Sequence, residues 1–82
     1  MDKKYNLLII EDEKPTRDTI IDFLSNDKEI NIIEASDGET GLEILYEKEI
    51  DLVLLDMRLP GLQGEEVLNQ IKAKKPKVSV VI

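Results

Sequence analysis

Cysteine and histidine are both absent from the 82-residue chain. Without cysteine there is no disulfide and no thiolate chemistry; without histidine there is no imidazole base and none of the usual zinc ligand sets. No apolar run is long enough to cross a membrane. The leader Met1-Asp2-Lys3-Lys4-Tyr5 opens onto too short a hydrophobic stretch for a secretory signal, so a cytoplasmic protein is expected. Basic residues are the scarcer charge, 11 against 18 acidic, and the net charge is -7. That sign disfavours direct contact with nucleic acid or with an anionic membrane, because both would be repelled at long range. What remains for chemistry is carboxylates, hydroxyls, lysines and arginines.

The length allows one small domain, and 41% hydrophobic with 35% charged residues describes a soluble chain with a core. Two short apolar runs carry the strongest pattern. Leu7 to Ile10 is followed at once by Glu11-Asp12-Glu13, and Leu52 to Leu55 runs straight into Asp56. Short apolar runs bounded by polar or turn residues are what parallel strands buried on both faces look like. Between and beyond them the pattern alternates. Pro15 fits the first turn of a helix over about Lys14 to Ser25, with Ile20, Ile21, Phe23 and Leu24 at helical spacing and Arg17, Asp18 and Asp22 on the other face. Ile30, Ile32 and Ile33 make a β-branched strand.

Ser36-Asp37-Gly38-Glu39 matches a capping box, with Ser36 as the cap of a second helix that carries Leu42, Leu45 and Tyr46 and ends near Lys48. After the Leu59-Pro60-Gly61 turn, Val67, Leu68 and Ile71 mark a third helix. Glu65 and Glu66 at its start and Lys72, Lys74 and Lys75 at its end suit the helix dipole, and Pro76 stops it. Val78 to Ile82 reads as a fourth strand. The order βαβαβαβ demands a parallel sheet with right-handed crossovers and helices on its faces, an α/β fold.

Open α/β sheets do their chemistry at the carboxyl ends of the strands, beside the point where winding direction changes. If strands one and three are neighbours there, Glu11, Asp12 and Asp56 share one crevice. Like charges so close raise one another's pKa, and a hard divalent cation relieves the penalty. Mg2+ is the expected ion: it prefers oxygen ligands, and no calcium-loop spacing is present. A carboxylate at a strand end beside such an ion suits formation of an aspartyl phosphate.

The Glu11-Asp12 pair, Asp56 and the following Leu-Pro-Gly-x-x-Gly turn resemble the receiver domain of two-component response regulators. The resemblance implies a flavodoxin-like (CheY-like) sheet of order 2-1-3-4-5. It also implies Asp56 as acceptor of a phosphoryl group from a sensor histidine kinase. Asp12, Asp56 and the Arg58 backbone carbonyl would ligate Mg2+, with Glu11 acting through a metal-bound water. Such a domain signals and is not an enzyme in its own right. Residues 1–82 correspond to the N-terminal two thirds of a receiver, through strand four. The Thr or Ser after strand four and the Lys after strand five that the family uses have no counterpart within them, so impaired phosphorylation is expected.

Two rivals share parts of the pattern. A haloacid-dehalogenase-like hydrolase would have Asp-x-Asp where this chain has Asp56-Met57-Arg58, and a flavodoxin-type flavin binder needs a phosphate-cradling loop where Glu11-Asp12-Glu13 stands. A further alternative keeps the family's fold without a working switch: a self-associating or engineered half-receiver. Strand four would be an apolar edge, and leaving about 400 Å2 of apolar surface wet forfeits roughly 10 kcal/mol. A homo-oligomer formed through that edge is therefore expected.

Overall fold

The structure is a computed structural model that describes residues 4–58 and 64–82. The Leu59-Pro60-Gly61 turn lies outside the described residues. The elements run β1 (Tyr5–Ile10), α1 (Lys14–Leu24), β2 (Ile30–Ala35), α2 (Gly38–Glu47), β3 (Leu52–Leu55), α3 (Gly64–Lys74) and β4 (Ser79–Val81). All strand pairs are parallel, and the sheet order is β2-β1-β3-β4. The alternation and the first four places of the expected order are borne out. The fold is the CheY-like, flavodoxin-like one.

Alternation along β1 and β3 divides the sheet's side chains. Leu8, Ile10, Val53 and Leu55 face α2 and α3, where they join Ala35, Leu42, Leu45, Ile50, Val67 and Ile71 in a buried cluster. Full burial of such a side chain contributes about 1.5–3 kcal/mol, so this layer holds the sheet to its two helices. Tyr46 adds a polar link between those helices: its hydroxyl donates to Gln70 Oε1 at 3.1 Å, and Lys74 Nζ stands 5.5 Å from its ring centre.

The opposite face is thinner. Ile9 and Leu54 line a groove there with Ile20 of α1, but α1 buries none of its residues completely. Phe23, grouped by spacing with the helix's apolar residues, is 81% exposed. A spacing of i, i+3 puts residues on one helical face without specifying whether that face has a partner.

The ends of α2 correct one expectation. The N-cap is Asp37 and not Ser36: the Asp37 carboxylate accepts from the Thr40 amide at 2.7 Å, and the helix starts at Gly38. Either Ser or Asp caps well by type, and the backbone places the extended cap conformation at Asp37.

Candidate phosphoacceptor and metal site

Sheet register builds the site. Ile10 pairs with Leu55, so Glu11 and Asp56 are each one residue beyond the last paired positions of neighbouring strands. Two backbone hydrogen bonds hold them there: Asp56 N–H donates to the Ile10 carbonyl at 3.0 Å, and Glu11 N–H donates to the Ala35 carbonyl at 3.1 Å. Asp12 follows Glu11 in the β1–α1 connection. One carboxylate oxygen from each of Glu11, Asp12 and Asp56 lies within 4.8 Å of the others. The three carboxylates expected to share one crevice do converge.

Their environments differ. Glu11 is only 9% exposed, Asp56 is half-buried and Asp12 is open to solvent. Burial pushes the Glu11 carboxyl above the usual carboxylate range, and the neighbouring Asp12 and Asp56 push the same way, against a lowering by the Glu13 amide. That amide donates to Glu11 Oε2 at 3.1 Å. Glu13 occupies the N-cap position of α1 but makes no side-chain cap bond. The Glu13 side chain therefore does not cap α1.

Asp56 Oδ1 accepts from the Arg58 amide at 2.9 Å. The Arg58 guanidinium stays 89% exposed and only approaches the same oxygen, at 3.6 Å. An exposed contact of this length is worth little. A cleft of about 220 Å3 is lined by Asp12, Glu13, Asp56 and Arg58. Its acidic donors are all hard oxygens, a set that fits Mg2+ and not a soft metal.

Arg17 was not anticipated in this neighbourhood. Its Nη1 donates to the Glu11 carbonyl at 2.7 Å and to the Asp12 carbonyl at 3.3 Å, and its Nε donates to Glu34 Oε1 at 3.1 Å. One signal could have pointed to it. A cation near a helix N-terminus opposes the dipole, and α1 has no acidic residue in its first turn to compensate.

Comparison with known proteins settles the family. A model of the response regulator receiver domain matches residues 7–82. The chain belongs to that family. This receiver is 40% identical over 76 residues to a cyclic di-GMP phosphodiesterase of Thermotoga maritima, an alignment covering 93% of the chain and 20% of that protein. Among solved structures it resembles the response regulator TrrA of Thermotoga maritima in complex with Mg(2+)-BeF (TM-score 0.89, 29% identity, 95% of this chain and 67% of that one). It also resembles the complex of histidine kinase ThkA with TrrA (TM-score 0.85, 30% identity, 93% and 65%). The signal receiver domain of an HD domain-containing protein from Pseudomonas fluorescens Pf-5 shares the fold (TM-score 0.90, 22% identity, 95% and 62%). The receiver thus spans about a fifth of the phosphodiesterase and 62% to 67% of these solved chains. It is a signalling domain of two-component systems. Among the described residues no helix is long and apolar enough to cross a membrane.

Proposed function

We propose that Asp56 is the phosphoacceptor of this receiver and that Glu11, Asp12 and Asp56, with the Arg58 carbonyl, hold the Mg2+ that the transfer needs. The observation that carries the reading is the convergence of three carboxylates within 4.8 Å, with Asp56 at the carboxyl end of β3. The Mg(2+)-BeF complex of TrrA and the ThkA complex support it for the family. An Asp56 oxygen would attack the phosphorus of a phosphohistidine on a sensor histidine kinase. The new P–O bond forms as the P–N bond breaks, and the imidazole leaves with the bonding pair and takes up a proton. Bound Mg2+ supplies positive charge that offsets both the carboxylates and the phosphoryl oxygens. The Arg58 amide at Oδ1 restrains the acceptor carboxylate, and Glu11 would help hold the ion through water. The kinase partner implies a cytoplasmic setting, and the net charge of -7 makes nucleic acid and anionic membranes poor direct partners.

The test is incubation with a small-molecule phosphoryl donor, with Mg2+ or with EDTA, read by intact mass. We expect a fraction of the chains to carry one added phosphoryl group in Mg2+, and none to carry it in EDTA or in Asp56→Asn. Labelling of Asp56→Asn at the normal level would refute the assignment.

We also infer that the chain self-associates through β4. Val81 is 50% and Ile82 71% exposed, and among the described residues β4 pairs with β3 alone. Light scattering at micromolar concentration should give more than one chain's mass; a clean monomer would remove this part of the reading.

A further inference from the structure

We infer that Arg17 is a positioning residue for the metal site, a clamp that fixes the β1–α1 connection so that Glu11 and Asp12 present their carboxylates together. The inference rests on the metal reading above and deepens it. Arg17 lies in the first turn of α1, where its charge gains nothing from the helix. Its side chain is nevertheless only 12% exposed, against 73% for Lys14 three residues earlier, which pairs with Asp18 in solvent.

What holds the guanidinium inward is a set of three acceptors on two separate elements. Nη1 takes the carbonyls of Glu11 and Asp12 at 2.7 and 3.3 Å, and Nε takes Glu34 Oε1 at 3.1 Å. Glu34 is the β2 residue just before Ala35, whose carbonyl receives the Glu11 amide. Arg17 and the Glu11 amide therefore close a loop: the connection is tied to β2 through its own backbone on one side and through Arg17 and Glu34 on the other.

Two features separate this from ordinary surface charge. The bonds to the acidic connection go to carbonyl oxygens, so the carboxylates stay available for a cation. They also need a fork. A guanidinium reaches acceptors in two directions with a fixed angle between them, whereas a lysine ammonium is a single point on a flexible stem. Outer-shell partners of this kind set ligand orientation, and losing one typically costs about 10–100-fold in metal affinity.

The sign of the effect is diagnostic. If Arg17 acted on the ion only through its charge, removing it would relieve repulsion and tighten Mg2+ binding. As a clamp, its removal must weaken binding. The experiment titrates the full chain with Mg2+ alone by calorimetry, well below the melting temperature of each variant. We expect Kd to rise about 10-fold or more in both Arg17→Met and Arg17→Lys, and by a smaller factor in Glu34→Ala. Lys14→Met, which removes an equal charge from the same helix, should not weaken binding.

Binding in Arg17→Lys that is as tight as in wild type would overturn the clamp. If the Arg17 variants do not fold, Glu34→Ala decides: an unchanged Kd there overturns it. A second readout needs no metal. Amide hydrogen exchange of Glu11 and Glu13, whose N–H groups are bonded to Ala35 and to Glu11 Oε2, should accelerate in metal-free Arg17→Lys. Unchanged exchange refutes the inference. Wild type that takes up no Mg2+ while exchange does accelerate refutes the metal reading and leaves the clamp standing.

Discussion

Asp56→Asn should make the metal-free receiver more stable, although it removes the residue at the centre of the site. The reason is the repulsion already described. Two unit charges at 4.8 Å repel by about 1 kcal/mol in a water-like dielectric and by about 3 kcal/mol at an effective dielectric of 20. Asp12 is exposed, so the lower figure suits its pair with Asp56; Glu11 is buried and partly relieved by its raised pKa. Against this gain stands little. The ion pair to Arg58 has an 89% exposed partner and is worth at most about 0.5 kcal/mol, and an asparagine Oδ1 still accepts the Arg58 amide. The net expectation is about 1–2 kcal/mol of added stability in EDTA near pH 7.

Two dependences identify the cause. Glu11 has a raised folded pKa, so its ionised form destabilises: the penalty is absent below the ordinary carboxylate range and grows as pH rises through the raised value. The advantage of Asp56→Asn should accordingly shrink on acidification. If Mg2+ binds as proposed, at ten times its Kd it should add about 1.4 kcal/mol to wild type, and the variant, lacking one of the proposed ligands, should gain less. Urea unfolding followed by circular dichroism measures all of this as midpoint shifts at constant slope. A less stable Asp56→Asn in EDTA at pH 7, or a difference that Mg2+ leaves unchanged, would rule out carboxylate repulsion as the cause.

The glycines give a steric test. A Cβ at Gly64 would collide with the Met57 backbone, its carbonyl carbon and oxygen at 2.9 Å, which cannot move without dragging Asp56; Gly64→Ala should cost about 2–3 kcal/mol in urea and weaken Mg2+ uptake. Gly41→Ala meets only the Ile10 side chain, at 2.5 Å, and recovers about 1 kcal/mol of helix propensity, so it should cost about 1 kcal/mol and leave Mg2+ uptake alone; the reverse ranking would contradict the contact geometry. Asp37→Ala should lose about 1 kcal/mol of capping at neutral pH. The Thr40 amide holds the Asp37 carboxyl below its usual range, so this contribution is present above the unfolded pKa and disappears as pH falls through the lowered folded value, where wild type and variant should converge in melting temperature.

How far the sequence foretold these features depends on what each one rests on. β3 was legible to the residue, because Leu52 to Leu55 is bounded on both sides by aspartate. β1 extends back to Tyr5 and Asn6, which are not a hydrophobic run; they are strand because they pair with Ile30 and Asn31, a tertiary cause that local pattern does not carry. Phe23 shows the same limit from the other side, since periodicity gives a face and not its neighbour. In the site, the carboxylates could be found because strand ends at a switch point are set by topology. Arg17 could not be found that way: its partners are backbone carbonyls, which every residue has, and a glutamate from another strand.

The same geometry explains why this arrangement needs so strong a sheet. Glu11 and Asp56 are set against each other by the register of β1 and β3, and four fully or nearly fully buried side chains, Leu8, Ile10, Val53 and Leu55, hold that register against the repulsion at its end. The hydrophobic term is several times larger than the electrostatic one, so the carboxylates cannot relax by slipping the strands. Relief must come from protonation of Glu11, or from a cation. Binding of the proposed Mg2+ would thereby be linked to the stability of the strand ends, and a bound phosphoryl group, which would bring negative charge back to the same crevice, would draw on that linkage. The site's response to charge is a property of the sheet register before it is a property of any one carboxylate.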